Sequence, residues 1–260
     1  MPQILLKGDN IDELNRNFVQ RQLTVPVFMN SVPKCGTHLM RNILRMFVPP
    51  EQQYHAVFIQ HPNLPQHVGA FSKVAPRLSW GHLFFSDGAA IALQPVRHLL
   101  LVRDPYDWVL ARARFFLSDN FQGQIDHLKG KVGMEEMLNM MIFGVHERMP
   151  TLHDIFLHNA VSWMGTKVRI LRLEELLRRI KDLDSSESEV FFRDLLAFCG
   201  IELPADWRER VVIGSDPKQS GTARENLVGV AAEIPRELPD IQKRLVDFAA
   251  PGLRALLGYA

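Results

Sequence analysis

The chain has 260 residues, 47% of them hydrophobic and 23% charged, with a formal net charge of +1. That length can bury a large core, and the near-neutral balance excludes a broad basic surface for nucleic acid or an anionic membrane. The 2 cysteines, Cys35 and Cys199, make neither a disulfide framework nor a zinc-ligand set, which points to a reducing, cytoplasmic setting. No apolar run reaches the ~18 residues of a membrane span, and no signal peptide is visible.

In chain order, Asn10-x-x-Glu13 predicts the capped start of a helix with Ile11, Leu14 and Phe18 on one face. Residues 25–30 read as a first core strand, which runs into Ser31-Val32-Pro33-Lys34-Cys35-Gly36-Thr37-His38. An amphipathic helix follows, with Leu39, Met40, Ile43, Leu44 and Phe47 as its buried stripe and Pro49-Pro50 as its stop. Residues 49–80 carry many Pro, Gln and His residues with little periodicity and are expected to form surface loops with short elements. Residues 97–103 read as a second buried strand, and Pro105 suits the first turn of the helix after it. Residues 134–148 look helical and rich in Met, and 167–173 give a third strand. Helices are expected near 174–182, 187–199 and 238–249, with a short one ending at Gly258.

Strands alternating with helices predict an α/β fold in which helices flank a central, mostly parallel sheet, here as a single unit over 1–260. Ligands bind such sheets at the carboxyl ends of the strands, where the 31–38 and 103–107 turns both fall.

The first turn has the composition of an anion site. A helix N-terminus offers unpaired N–H groups and a partial positive charge, and Gly36 lets the backbone come close to a ligand. Lys34 adds a full charge and Thr37 a hydroxyl, a set suited to phosphate or sulfate. The order differs from the nucleoside-triphosphate loop, in which Lys follows the second Gly. An ordinary strand–turn–helix is the plain alternative.

The run Pro33-Lys34-Cys35-Gly36-Thr37-His38-Leu39 resembles the 5′-phosphosulfate loop of sulfotransferases that use 3′-phosphoadenosine 5′-phosphosulfate (PAPS). That resemblance implies a three-layer, P-loop-like fold and a role for Lys34, Cys35, Gly36, Thr37 and His38 in holding the donor. Arg103-Asp104-Pro105-Tyr106-Asp107 resembles the family's 3′-phosphate motif, with Arg103 as the phosphate ligand. It departs from the pattern at Ala111, where the family often has a Ser, so Arg112 and Arg114 are candidates to replace that donor. A salt bridge from Arg103 to Asp104 or Asp107 is the structural alternative. Lys218, Ser220, Gly221 and Arg224 resemble the family's late loop over the 3′-phosphate, although Ala223 stands where Trp is common. Trp80-Gly81-His82-Leu83 resembles the context of the family's general base, so His82 is the expected base and Lys34 its catalytic partner at the departing 3′,5′-adenosine bisphosphate.

No metal is implied. The implied acceptor is a small molecule or glycan bearing a hydroxyl or, second, an amine, with residues 51–80 and 119–150 around its pocket and Met137, Met140, Met141 and Phe143 as possible apolar lining. Three other readings stay open. Cys35 and Arg41 form the C-x₅-R skeleton of cysteine-dependent phosphatases, for which a helix N-terminus would lower the thiol pKa. The chain could also be a nucleotide-binding module without catalysis, or a small-molecule kinase with a degenerate loop.

Overall fold

A computed structural model describes residues 3–4, 8–123, 125–221, 227, 229 and 233–259. The strands among them are β1 (Gln3–Ile4), β2 (Val27–Ser31), β3 (Ile59–Gln60), β4 (Leu78–His82), β5 (Arg97–Val102), β6 (Phe121–Gln122) and β7 (Arg169–Arg172). The helices in the first half are α1 (Ile11–Asn15), α2 (Thr37–Arg45), α3 (Leu64–His67), α4 (Asp87–Ala92), α5 (Pro105–Leu117) and α6 (Met134–Phe143). The second half adds α7 (Leu152–Asn159), α8 (Leu173–Lys181), α9 (Ser186–Phe198), α10 (Trp207–Ser215), α11 (Asp240–Ala249) and α12 (Leu253–Leu256).

One five-stranded sheet runs in the order β3-β4-β2-β5-β7, and every pairing in it is parallel. β1 and β6 form a separate antiparallel pair. The central strand β2 is buried throughout because both of its faces are covered by helices. Its side chains alternate: Val27 and Met29 pack with Ile43, Phe192 and Trp207, whereas Phe28 packs with Trp108 and Phe156 on the opposite face. β5 does the same, with Leu99 and Leu101 on the first face and Leu100 and Val102 on the second. β4 and β5 leave β2 on opposite sides, so the chain changes direction across the sheet at the end of β2. A crevice opens at such a point.

The expected strands and most expected helices lie within a few residues of their sequence positions. Three expectations need correction. The segment 49–80, expected as surface loops with short elements, supplies two strands of the main sheet, β3 and most of β4. β4 carries Ser79 and Gly81 in a buried strand, so it shows no hydrophobic run. Gly81 is needed there, because a Cβ would fall 1.8 Å from the Ile59 carbonyl oxygen of β3. The helix expected over 134–148 stops at Phe143, where Gly144 takes φ 74° and Val145 turns back to bridge Met149. Asn10 does not cap α1 through its side chain. The Asp9 carboxylate accepts from the Ile11 N–H instead, at 3.3 Å.

Candidate functional site

The loop after β2 is shaped by its neighbours. The Val32 N–H donates to the Leu101 carbonyl at 3.1 Å, and the Cys35 N–H closes a turn onto the Val32 carbonyl at 3.2 Å. Lys34 and Gly36 have φ values of 67° and 87°, both left-handed. Lys34 accepts this strain although it has a side chain, a pattern that clusters at functional sites. A Cβ on Gly36 would meet Leu173 Cδ1 at 2.6 Å, so only glycine fits under α8. From α5, Trp108 Nε1 donates to the Pro33 carbonyl at 2.6 Å and fixes the crest of the loop. The first N–H groups of α2 have no partner within the helix, and they begin where Gly36 ends the turn. The Cys35 N–H is not among them, because it donates to the Val32 carbonyl.

His82 ends β4, next to β2. Asn30 places it: its side chain donates to the Leu83 carbonyl at 3.0 Å and accepts from the Leu83 N–H at 2.9 Å. His82 Nδ1 lies 2.7 Å from the Ser31 carbonyl and 3.2 Å from Ser31 Oγ, and Ser31 Oγ lies 2.7 Å from Thr37 Oγ1. A carbonyl can only accept, so Nδ1 carries the proton and Nε2 of the neutral ring keeps a free lone pair. Burial pushes the imidazole down to about 4, opposed by the Ser31 hydrogen bond and reinforced by Lys34. The Phe58 ring centroid lies 5.1 Å from that of His82 and 6.2 Å from that of His38. Burial, with Arg41 and Lys34 nearby, pushes His38 down to about 3, and its Nδ1 is buried without a hydrogen-bond partner.

Cations gather at the ends of β2 and β5. Lys34 Nζ rests 3.5 Å from the centroid of the Phe115 ring on α5. Burial brings its ammonium down to about 7, and repulsion from Arg103 and then Arg114 pushes the same way. Lys34 and Arg103 follow the ends of neighbouring strands, which the Val32–Leu101 hydrogen bond and the Arg103 N–H on Cys35 hold together. Arg103 makes no salt bridge with Asp104 or Asp107, and its Nε is buried without a hydrogen-bond partner. Asp104 pairs with Arg254 instead, at 2.8 Å. Arg114 faces this cluster. Arg112 does not, because it is buried and donates to the carbonyls of Met141 and Pro150 at 2.8 and 2.9 Å. It therefore cannot replace the hydroxyl missing at Ala111.

Cys35 is fully buried, and burial raises its thiol far above the usual cysteine range, although the Arg103 backbone N–H donates to its sulfur. Arg41 is turned away, paired with Asp9 at 3.0 Å and lying over Trp80. The two do not form the low-pKa thiolate and anion clamp that phosphatase chemistry requires. In the late loop, the 217–219 turn docks on α2, where Asn42 Nδ2 donates to the Gln219 carbonyl at 2.7 Å. Lys218 is exposed there, while Ser220 and Gly221 are buried. Arg224 lies outside the described residues. Met137 and Met141 belong to the core and Phe143 is exposed, so this helix offers no continuous apolar wall.

Several contributors carry no sequence signal of their own. Asn30, Ser31, Phe115, Trp108, Glu174 and Arg254 act through partners far along the chain. Only the strand order brings them to the site.

These loops sit on a fold that solved proteins share. The chain is similar to mouse sulfotransferase SULT7A1, crystallised in complex with PAP, at 15% identity over 98% of this chain and 95% of that chain, with a TM-score of 0.53. It is also similar to retinol dehydratase in complex with androsterone and inactive cofactor PAP, at 15% identity over 92% of this chain and 82% of that chain, with a TM-score of 0.47. The first likeness shows the fold alone: a central, mostly parallel sheet flanked by helices. No family model matches the chain, and neither does any curated protein. Among the described residues no helix is long and apolar enough to cross a membrane, and no group of His, Cys, Asp and Glu has a metal-binding arrangement.

Proposed function

We propose that the chain is a PAPS-dependent sulfotransferase that moves a sulfuryl group to a hydroxyl of an acceptor. One juxtaposition carries this reading. Lys34 and Arg103 follow the ends of adjacent parallel strands, while His82 is hydrogen-bonded to the residue at the root of the Lys34 loop. A doubly anionic nucleotide neutralises such a pair of cations. The unpartnered Nε of Arg103 is a buried donor that gains a partner when a phosphate binds.

The donor, when bound, supplies an activated sulfuryl group and leaves as 3′,5′-adenosine bisphosphate. Amides at the start of α2 and the Thr37 hydroxyl bind its 5′-phosphate end, and Arg103 binds the 3′-phosphate, with Arg114 as a further cation. Lys34 leaves the Phe115 ring and offers its charge to the bridging oxygen of the leaving group. His82 Nε2 accepts the proton of the acceptor hydroxyl. The Ser31 carbonyl fixes the tautomer and favours the imidazolium that forms. Transfer proceeds in line, as in phosphoryl transfer, with positioning and charge as its main aids. Phe58 packs beside both His82 and His38.

The direct test is transfer from labelled PAPS to a panel of alcohols, phenols, amines and sugars, with ATP offered in parallel. Labelled product from ATP and none from PAPS would make the chain a kinase. Tight binding of PAPS without turnover on any acceptor would make it a binding module.

A further inference from the structure

The turn that carries Arg103 is tied to the C-terminal end of the chain. Arg254 of α12 grips Asp104 with both arms, Nε to Oδ1 at 3.0 Å and Nη2 to Oδ2 at 2.8 Å. Its guanidinium also lies 3.9 Å from the Tyr106 ring centroid, and the Tyr106 hydroxyl donates to Asp247 of α11 at 2.8 Å. Glu174 links the same turn to the chain end: one oxygen accepts from the Asp104 N–H at 3.1 Å and the other from the Tyr259 hydroxyl at 2.7 Å. Arg172 adds a hydrogen bond to the Gly258 carbonyl at 2.6 Å.

Arg103 therefore stands among three carboxylates, Asp104, Asp107 and Glu174, yet forms an ion pair with none of them. For Asp104 and Glu174 the reason lies in their partners, whereas Asp107 has no hydrogen bond or ion pair of its own among the described residues. Arg254 engages both oxygens of Asp104, and the Asp104 amide and Tyr259 engage both oxygens of Glu174. An Asp104 released from Arg254 would be a second unpaired carboxylate beside Arg103, next to Asp107, and would compete with an incoming phosphate for the guanidinium.

We infer that Arg254 is a positioning and specificity residue for the 3′-phosphate subsite: by pairing with Asp104 it keeps Arg103 open to the group that distinguishes the 3′-phosphorylated nucleotide from its 5′-monophosphate. This rests on the donor reading above. Arg254 holds Asp104 and stacks on Tyr106, and its pairing with Asp104 is what bears on Arg103. The C-terminal helix thus sets which nucleotide the site accepts.

The test compares binding of 3′,5′-adenosine bisphosphate and 5′-adenosine monophosphate by calorimetry. Four chains are needed: wild type, Arg254→Gln, Arg254→Lys, and Arg254→Gln combined with Asp104→Asn. Asn can still accept from the Tyr106 N–H as the cap of α5, so the double variant removes the stray charge without removing the cap. Arg254→Gln is expected to weaken bisphosphate binding about tenfold or more while leaving the monophosphate within about twofold, and Asp104→Asn is expected to restore most of the loss. Arg254→Lys keeps the charge and retains most of the discrimination. In turnover the Gln variant raises the donor KM and leaves kcat largely intact. Equal loss of both nucleotides, unchanged bisphosphate binding, or no recovery with Asp104→Asn each overturns the inference while the donor reading stands. Wild-type protein that binds neither nucleotide overturns the donor reading and the inference with it.

Discussion

His82 Nδ1 lies 2.7 Å from the carbonyl oxygen of Ser31, the last residue of the strand that feeds the Lys34 loop. One hydrogen bond thus sets the tautomer of the proposed base and ties it to the proposed donor site. The ring that would take the acceptor proton is held by the same segment that leads into the anion loop.

Replacing His82 with Ala should lower the transfer rate by ~10²–10⁴ and leave PAPS affinity nearly unchanged. Because the ring is held down near 4, it is already neutral at physiological pH. The acid limb of kcat/KM should therefore fall near pH 4 rather than near 6.5. A pH–rate profile of wild type and variant checks both statements, and an acid limb that survives in the variant would falsify the assignment.

Lys34 should take up a proton when the donor binds. In the free protein its ammonium is held down to about 7 by burial and by Arg103, and the incoming phosphate charges offset both disadvantages. The bound-state pKa then exceeds the free one, so affinity is full below about pH 7 and declines as pH rises above it. Titration calorimetry of 3′,5′-adenosine bisphosphate at pH 8, in buffers of different ionisation enthalpy, measures the proton count directly. Lys34→Met should abolish the uptake.

Acid should destabilise the fold early. His38, His82 and His98 are pushed to about 3, 4 and 3 by burial, so each is neutral in the folded chain at pH 5 but protonated when unfolded. Stability from these rings is present above their unfolded value of about 6.5 and is lost as pH falls toward their folded values. Each contributes a slope of up to about 1.4 kcal/mol per pH unit in that window. Urea melts between pH 4 and 7 provide the measurement, and His98→Gln should flatten the curve.

Gly36→Ala should break the loop. Its φ of 87° strains any side chain, and the new Cβ would press on Leu173 at 2.6 Å. A loss of about 1–3 kcal/mol in stability is expected, together with loss of nucleotide binding. Chemical denaturation and a thermal-shift assay with the bisphosphate separate the two effects.

Cys35→Ser should leave sulfuryl transfer within a fewfold of wild type and should not reveal or abolish any phosphatase activity. The buried thiol is held neutral and accepts a backbone N–H, a role that a hydroxyl can also fill. Assays with PAPS and with an aryl phosphate, run on both proteins, decide this.

The sequence by itself determined the local pieces. Lys34, Gly36 and Thr37 were legible because a strand, a turn and a helix N-terminus are encoded within a dozen residues, and a glycine at the cap position has a local physical reason. Arg103 was legible for the same reason, at the end of a four-residue apolar run and just before a proline suited to the first turn of α5. Lys218 was named from its resemblance to a late anion loop, and the sequence did not show that its turn docks on α2 through Asn42. Only tertiary structure decided the state of each group. The Ser31 contact of His82, the burial of Cys35, the inward turn of Arg112 and the pairing of Asp104 with Arg254 all join segments brought together by strand order and helix packing. Charge state, tautomer and availability depend on what lies within a few ångströms, and the chain alone does not specify those neighbours until the sheet is assembled.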